Sequence, residues 1–285
     1  MQVLETIQAT RLFCRELRNG HRSLGLVPTM GALHEGHLSL VRAAKSRCEI
    51  VAASIFVNPT QFAPTEDLAK YPRSFERDRA MLEAEGVDLL FAPTAAEMYP
   101  PGASTWVAVE SVGDRLDGAS RPGHFRGVAT VVAKLFHIIA PTHAFFGQKD
   151  AAQLAVLRGM VRDLNFDLEI IGCPIIREPD GLAMSSRNVY LSPEERLQAT
   201  VLSRALDVAI ALANSGETSA PALRTAMEST MAEEPSARVD YIAVADPNTL
   251  EAIDHVHSGT LLAIAAYFGT TRLIDNALLA PAGPD

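Results

Sequence analysis

The chain has 285 residues, 48% of them hydrophobic and 21% charged, and a formal net charge of -9. This composition is ordinary for a globular protein, and the length is sufficient for a large core and two domains. The acidic balance argues against a nucleic-acid partner, because phosphate backbones demand Lys and Arg. Cys14, Cys48 and Cys173 are far apart and form no C-x-x-C pair, so we expect buried thiols and neither a disulfide framework nor a zinc site.

The start of the chain does not have the pattern of a secretory signal, which is a basic segment followed by an apolar run. The longest apolar run, residues 261–268, has eight residues, whereas a membrane span needs about 20. We therefore expect a cytoplasmic protein without a membrane partner. The Pro- and Ala-containing tail, residues 280–285, is expected to fray.

The first predicted elements alternate between helix and strand. Residues 5–19 have the apolar spacing of an amphipathic helix with Ile7, Leu12 and Leu17 toward the core. Residues 24–27 predict a short buried strand, and the continuous apolar run 50–57 is typical of a strand buried on both faces of a parallel sheet.

Between these strands lies the most informative stretch, residues 28–37, with the sequence PTMGALHEGH. It predicts a strand end, a glycine-containing turn and the start of a helix, where an open α/β sheet binds ligands and unpaired N–H groups favour phosphate. A single His at a helix start is usually a cap or a solvated side chain. Two of them, His34 and His37, separated by Gly36 directly after a strand, instead indicate a pair of hydrogen-bond donors that stabilise phosphate charge.

The four residues from His34 to His37 resemble the HIGH signature of the nucleotidyltransferase superfamily, which includes class I aminoacyl-tRNA synthetases. The longer segment 28–37 resembles the pantothenate synthetase family and is far more specific. This resemblance implies a set of ATP-binding residues in the segment. They are Met30, Gly31, Ala32, Leu33, His34, Glu35, Gly36 and His37.

The second strand ends in a loop, residues 56–62, with the sequence FVNPTQF. The amide of Gln61 is suited to a hydroxyl and a carboxylate of a small substrate, although a loop Gln alone more often faces water. The segment resembles the pantoate-binding loop of the family, which implies that Gln61 contacts pantoate.

The middle of the chain predicts further α/β elements. They are a helix over 75–85, a strand over 87–93, a short strand over 105–109 and a helix over 128–139. For Asp78, on the first of these helices, a position near a metal is one alternative, but a solvated surface residue is expected. The segment 121–125, RPGHF, also matches the family, and Arg121 is interpreted as an inter-subunit charge or a charge near the site.

The pattern of strand, glycine turn and helix recurs at residues 142–164. Lys149 at such a turn is a natural point charge for phosphate, although most lysines are simply solvated. By the family resemblance Gln153 is a second pantoate-binding glutamine, while Ala151 and Ala152 depart from the family's usual aromatic–Gln pair. The resemblance also implies ATP contacts in the turn, from Gly147, Gln148, Lys149 and Asp150.

After a strand predicted over 167–176, residues 177–188 form a polar, glycine-containing loop. Its segment MSSR, residues 184–187, resembles the family's counterpart of the synthetase KMSKS loop, and two hydroxyls with a guanidinium can grip phosphate oxygens. The resemblance implies ATP contacts from this loop and from the backbone that precedes it. These residues are Ile176, Met184, Ser185, Ser186 and Arg187.

The remaining sequence predicts two helices, over 192–214 and 220–233, followed by three strands, at 239–245, 261–268 and 271–278. Helices followed by strands indicate a small α+β unit. We therefore predict an α/β fold: a Rossmann-like, doubly wound parallel sheet in a catalytic domain, residues 1–175, with a smaller C-terminal α+β domain, residues 176–285, that carries the MSSR loop.

The resemblance covers nearly the whole chain. It implies the ATP-dependent condensation of (R)-pantoate with β-alanine to pantothenate, AMP and pyrophosphate through a pantoyl adenylate, with Mg²⁺ on the phosphates and a homodimeric assembly. It implies that the catalytic residues are His37, the family's proton donor, with His34, Lys149 and Arg187. No residue is predicted to be a metal ligand.

Two other functions remain open at this point. Another nucleotidyltransferase of the His-x-Gly-His type would leave AMP on a small-molecule acceptor and would not release it. A non-catalytic nucleotide-sensing module would need no residues for a second substrate, so Gln61 and Gln153 argue against it.

Overall fold

The computed structural model of the chain describes residues 1–18, 22–63 and 68–280, so the expected fraying of residues 281–285 lies outside the described residues. In the described part, six parallel strands form one sheet in the order β1-β4-β3-β2-β5-β6. The strands are β1 (Gln2–Leu4), β2 (Leu24–Thr29), β3 (Ile50–Ile55), β4 (Leu89–Phe91), β5 (His143–Gly147) and β6 (Glu169–Cys173).

Helices cover both faces of this sheet, because its central strands alternate large apolar side chains between the two faces. Leu26 and Val27 are both fully buried, yet they belong to two separate core clusters on opposite sides of the sheet. The helices of this part are α1 (Ile7–Leu17), α2 (Glu35–Arg47), α3 (Phe75–Ala84), α4 (Ala95–Met98), α5 (Asp117–Ser120), α6 (His124–Ile139) and α7 (Ala151–Asp163). The predicted doubly wound α/β fold is confirmed.

The direction of the winding reverses between β2 and β5. From β2 the chain continues to β3 and β4 on one side, whereas β5 pairs with the other side of β2 and is followed by β6. A crevice opens at such a switch point, outside the carboxyl ends of the strands. The turns after Thr29 and Gly147, which carry the two predicted phosphate-binding motifs, both lie there.

A second sheet of three antiparallel strands lies in the C-terminal part of the described chain, in the order β7 (Ala237–Ala245), β8 (Leu261–Phe268) and β9 (Thr271–Leu278). Three helices, α8 (Pro193–Gln198), α9 (Val201–Asn214) and α10 (Ala220–Met231), accompany it, and side chains of α9 and α10 share a separate core with the sheet. This is the expected smaller α+β unit. The proposed division near residue 175 stays a prediction.

Four local predictions are wrong. Leu12 is 53% exposed, whereas Thr10 and Cys14 are the buried residues of α1 and Ile7 and Leu17 pack against the core as predicted. Residues 105–109 form no strand, and the N–H of Val107 donates to a side chain, the hydroxyl of Thr130 at 2.9 Å, and not to a neighbouring strand. The single helix predicted over 192–214 is two helices, and Asp78 is buried, as described below. No helix in the described part of the chain is long and apolar enough to cross a membrane.

Candidate active site

A cavity of about 230 Å³ lies at the switch point, outside the carboxyl ends of β2, β3 and β5. Three segments that are far apart in the sequence meet there: the turn after β2, the turn after β5 and the loop that precedes α8. The predicted site residues that line the cavity are Met30, His34, Gly36, His37, Gln61, Gly147, Lys149, Asp150, Gln153, Ile176, Met184, Ser185, Ser186 and Arg187.

Five predicted ATP-binding residues do not line the cavity: Gly31, Ala32, Leu33, Glu35 and Gln148. Glu35 forms an ion pair with the exposed Arg42, and the amide of Gln148 donates to Asn276 at 3.3 Å. Their contact with ATP stays a prediction.

Asp78 organises the turn after β2. Its carboxylate, in a residue only 1% exposed, accepts hydrogen bonds from the backbone N–H groups of Ala32 at 2.7 Å and Leu33 at 2.9 Å. Gly31 and Ala32 both have positive φ, +83° and +52°, so this turn has a backbone that L-residues rarely adopt. The buried carboxylate therefore occupies the N–H groups of Ala32 and Leu33, two of the predicted ATP-binding residues.

The two histidines cap the start of α2 with their own rings. The Nδ1 atom of His34 accepts from the N–H of Gly36 at 3.2 Å, and the Nδ1 of His37 accepts from the N–H of His34 at 3.3 Å. A Cβ at position 36 would lie 2.9 Å from the His34 ring, so only glycine leaves room for the imidazole to fold over the helix start. Because Nδ1 accepts in both residues, the protons of the neutral rings are on Nε2.

Both imidazoles are held in the neutral form. Burial, with the nearby Lys149 charge next in importance, lowers the pKa of His34 to about 4. Burial together with the neighbouring His34 lowers the pKa of His37 to about 3. The ring centroids are 4.2 Å apart, so a second positive charge would be placed close to the first. At neutral pH the pair therefore supplies two neutral N–H donors.

The turn after β5 presents Lys149, whose side chain is 20% exposed and whose ammonium lies 3.7 Å from the carboxylate of Asp150. The side chain of Asn276, from β9, donates to the backbone carbonyls of Gln148 at 2.9 Å and Lys149 at 2.8 Å. The second sheet thus holds the turn that carries the lysine.

The loop after β6 folds back on itself before it reaches the cavity. The N–H of Met184 donates to the carbonyl of Ile176 at 2.9 Å, and the hydroxyl of Ser185 accepts from the N–H of Arg187 at 3.2 Å. The hydroxyl of Tyr71 lies 3.4 Å from that of Ser186. The two serines and Arg187 line the same cavity as Lys149.

The other end of the cavity combines apolar walls with oriented amides. The amide of the buried Asn58 donates to the Oε1 of Gln61 at 3.0 Å. The Nε2 of Gln61 lies 3.0 Å from the sulfur of Met30. Helix α6 approaches this loop so closely that a Cβ at Gly127 would lie 2.3 Å from the carbonyl oxygen of Thr60. Apolar side chains complete this end: Phe56, Val128, Val131, Val132, Leu135 and Phe146.

Four supporting residues were missed by the sequence analysis or given no role there: Asn58, Asp78, His124 and Asn276. His124 contacts the carbonyl of Gln61 at 2.8 Å through Nδ1 and the guanidinium of Arg121 at 2.9 Å through Nε2, so Arg121 does lie near the site. Each of these residues acts on backbone or on another side chain. Only Asn58, ahead of Pro and Thr, carries a local signal, that of a cap.

Within the described residues, no group of three or more His, Cys, Asp or Glu side chains is placed to hold a metal ion. Among the described residues that line the cavity, Asp150 is the one carboxylate. Such a lining is compatible with the usual binding of Mg²⁺ in proteins, through one or two carboxylates together with the phosphates of a ligand.

Comparison with known proteins agrees with this geometry. The family model described as pantoate-beta-alanine ligase matches residues 2–278. The chain is 62% identical to the pantothenate synthetase of Acidobacterium capsulatum, over 98% of this chain and 97% of that protein. It is 57% identical to that of Koribacter versatilis, over 99% of this chain and 97% of that protein.

Two solved structures have the same fold. The pantothenate synthetase of Thermus thermophilus superimposes with a TM-score of 0.94 at 48% identity, over 99% of this chain and 100% of that chain. The pantoate-beta-alanine ligase of Francisella tularensis, complexed with beta-gamma ATP and beta-alanine, gives a TM-score of 0.78 at 34% identity, over 98% and 97%. The chain belongs to the pantoate-beta-alanine ligase family.

Proposed function

We propose that this chain condenses pantoate with β-alanine to pantothenate and cleaves ATP to AMP and pyrophosphate at the cavity described above. The observation that carries this proposal is that two kinds of groups line one cavity. The first kind comprises neutral N–H donors, a lysine, two hydroxyls and a guanidinium, and the second comprises two glutamine amides and apolar side chains. The first kind suits a polyphosphate, and the second suits a small hydroxy acid.

In the first step a carboxylate oxygen of pantoate attacks the α-phosphorus of ATP. A bond forms between that oxygen and phosphorus, and the bond to the bridging oxygen breaks, so its electron pair leaves with pyrophosphate. A carboxylate needs no base to act as a nucleophile. The step needs stabilisation of the charge on the phosphates, and we assign it to His34, His37, Lys149 and Arg187. The lowered pKa values of the histidines favour hydrogen-bond donation from Nε2 over transfer of a proton.

We assign Gln61 and Gln153 to pantoate. Asn58 fixes the Oε1 of Gln61 at 3.0 Å, so the amide faces the cavity with a defined orientation. The apolar walls provided by Phe56 and Val132 suit the methyl groups of pantoate.

In the second step the amine of β-alanine attacks the acyl carbon of the mixed anhydride, and AMP leaves with the electron pair of the broken C–O bond. The amine must lose a proton, and water or the departing AMP can take it. No residue is therefore assigned as a base.

Three further features belong to the same proposal. Mg²⁺ would neutralise charge on the ATP phosphates, with Asp150 as the available carboxylate of the cavity lining. The family resemblance supports a homodimer, and the expected location is the cytoplasm. The catalytic domain is assigned to residues 1–175 and the smaller domain to residues 176–285.

Isotope exchange tests the proposed order of steps. With enzyme, Mg²⁺ and pantoate but no β-alanine, labelled pyrophosphate should enter ATP, and Arg187→Ala should suppress this exchange. Mass spectrometry after addition of β-alanine should find pantothenate and free AMP. A product that retains AMP would favour the alternative nucleotidyltransferase, and exchange that needs β-alanine would favour a concerted reaction.

A further inference from the structure

Two neighbouring residues of β9, Asp275 and Asn276, are buried although both are polar; they are 1% and 2% exposed. Neither lines the cavity. Burial of a polar group costs free energy unless the group forms hydrogen bonds, so the partners of Asp275 and Asn276 indicate their role.

Asn276 directs its whole side chain at the turn after β5. Its Nδ2 donates to the carbonyl oxygens of Gln148 and Lys149 at 2.9 and 2.8 Å. Its Oδ1 accepts from the Nε2 of Gln148 at 3.3 Å. One amide therefore holds the two peptide groups that flank Lys149.

Asp275 holds the loop after β6. Its carboxylate accepts from both terminal nitrogens of Arg177, at 2.6 and 3.0 Å. The guanidinium of Arg177 in turn donates to the carbonyl of Gly181 at 2.9 Å. The backbone of Arg177 forms an antiparallel β-bridge with Ala183, the residue before Met184. The same strand thus fixes the base of the loop that carries Ser185 to Arg187.

We propose that Asn276 and Asp275 are positioning residues that fix Lys149 relative to the Ser185–Arg187 segment. Lys149 and this segment can then bind the phosphates of the same ATP molecule. The inference rests on the proposed function and deepens it. Because neither residue lines the cavity, neither is expected to contact substrate. Their effect passes through the backbone of the turn and of the loop, and it should be felt where the phosphates are gripped.

The proposal predicts a loss confined to one half-reaction. Asn276→Ala should lower the maximal rate of pantoate-dependent pyrophosphate exchange by roughly 10²-fold, the scale of misplacing a catalytic group by about 1 Å. The same variant, given pantoyl adenylate directly, should form pantothenate with β-alanine at the wild-type rate, because no pyrophosphate departs in that step. Pantoate affinity, measured by calorimetry, should be unchanged.

Two more variants separate positioning from general stability. Asn276→Leu has a side chain of similar size but no donors, so it should fail in exchange as Asn276→Ala does, without leaving a cavity or burying a charge. Tyr241→Phe is the control. It removes a different hydrogen bond from the second sheet, the one that the Tyr241 hydroxyl on β7 donates to Asp117 on α5 at 3.1 Å, and it should leave exchange unchanged.

The exchange assays test the positioning role and the proposed function separately. Wild-type exchange in Asn276→Ala, or an equal loss in both half-reactions, overturns the positioning role. Wild-type enzyme without pantoate-dependent exchange would instead contradict the proposed function, so the two failures are distinguishable.

Discussion

The carboxylate of Asp78 accepts a hydrogen bond from the backbone N–H of Leu33 at 2.9 Å, across 45 positions of the sequence. The same carboxylate accepts from Ala32, so one buried acid holds the turn from which His34 and His37 project. Asp78→Ala should lower the free energy of unfolding by roughly 1–3 kcal/mol, because two buried donors lose their partner. Pyrophosphate exchange should fall as well, since the histidines lose their support.

Urea denaturation and exchange assays check this prediction. Glu76→Ala is the matched control, because Glu76 lies on the same helix with a side chain that is 81% exposed and 3.8 Å from Arg79. An exposed pair of this kind contributes little. Equal stability of the Asp78 and Glu76 variants would contradict the role of Asp78.

The buried histidines should make stability depend on pH. In the unfolded chain they take up protons from about pH 6.5, whereas in the folded chain the pKa is about 4 for His34 and about 3 for His37. The unfolded state therefore binds more protons between these values, so their contribution is complete above about pH 6.5 and is lost as the pH falls toward about 4. Each histidine should contribute roughly 1–2 kcal/mol to the loss between about pH 7 and about pH 5.

Chemical denaturation at several pH values measures this effect. The double variant His34→Ala/His37→Ala should lose less stability over this interval than the wild type, because two titrating groups are absent. Parallel pH profiles for the two proteins would show that the rings are not held neutral.

The phosphate-facing donors should matter for the rate and not for the fold. His37→Ala and Lys149→Ala should each slow adenylation about 10²-fold, the cost of losing one transition-state donor. Far-UV circular dichroism should not change. Arg47→Ala is a suitable control, since Arg47 lies at the far end of α2 and its ion pair with Glu169, at 4.0 Å, is exposed. Near-normal turnover in either site variant would refute its role.

The two glutamines should distinguish the substrates. Gln61→Ala or Gln153→Ala should weaken pantoate binding by roughly 1–3 kcal/mol, because a buried partner is lost, and should leave ATP binding almost unchanged. Titration calorimetry with each ligand separates the two effects, and Gln198→Ala, on α8, serves as the control. Equal losses of binding free energy for pantoate and ATP would mean that the glutamines do not bind pantoate specifically.

The sequence predicted the elements and motifs that depend on local pattern. The run before Pro28 is apolar, the run from Ile50 is apolar except for Ser54, and both form central parallel strands. The motif residues His37 and Lys149 line the same cavity, as the strand–turn–helix pattern suggested. Local pattern is sufficient here because ligand sites of open sheets lie at the ends of strands.

Supporting contacts depend on tertiary structure and were not predictable in this way. Asp78 has the sequence context of a solvated acid, yet it is buried because the turn at Ala32 presents two N–H groups to it. Asn276 lies on a strand that belongs to the other sheet, and nothing near it in the sequence points to Lys149. Leu12 was misassigned because the helix is short and its buried side is occupied by Thr10 and Cys14.

The hydrogen bond from Asn276 to the carbonyl of Lys149 joins residues that are 127 positions apart. At synthesis rates of about 5–20 residues per second, roughly 6 to 25 s separate the translation of these two residues. During that interval the growing chain carries the lysine without the strand that orients it. Asn276 follows all six strands of the parallel sheet in the sequence, so the strand that orients Lys149 is translated after the sheet that carries it.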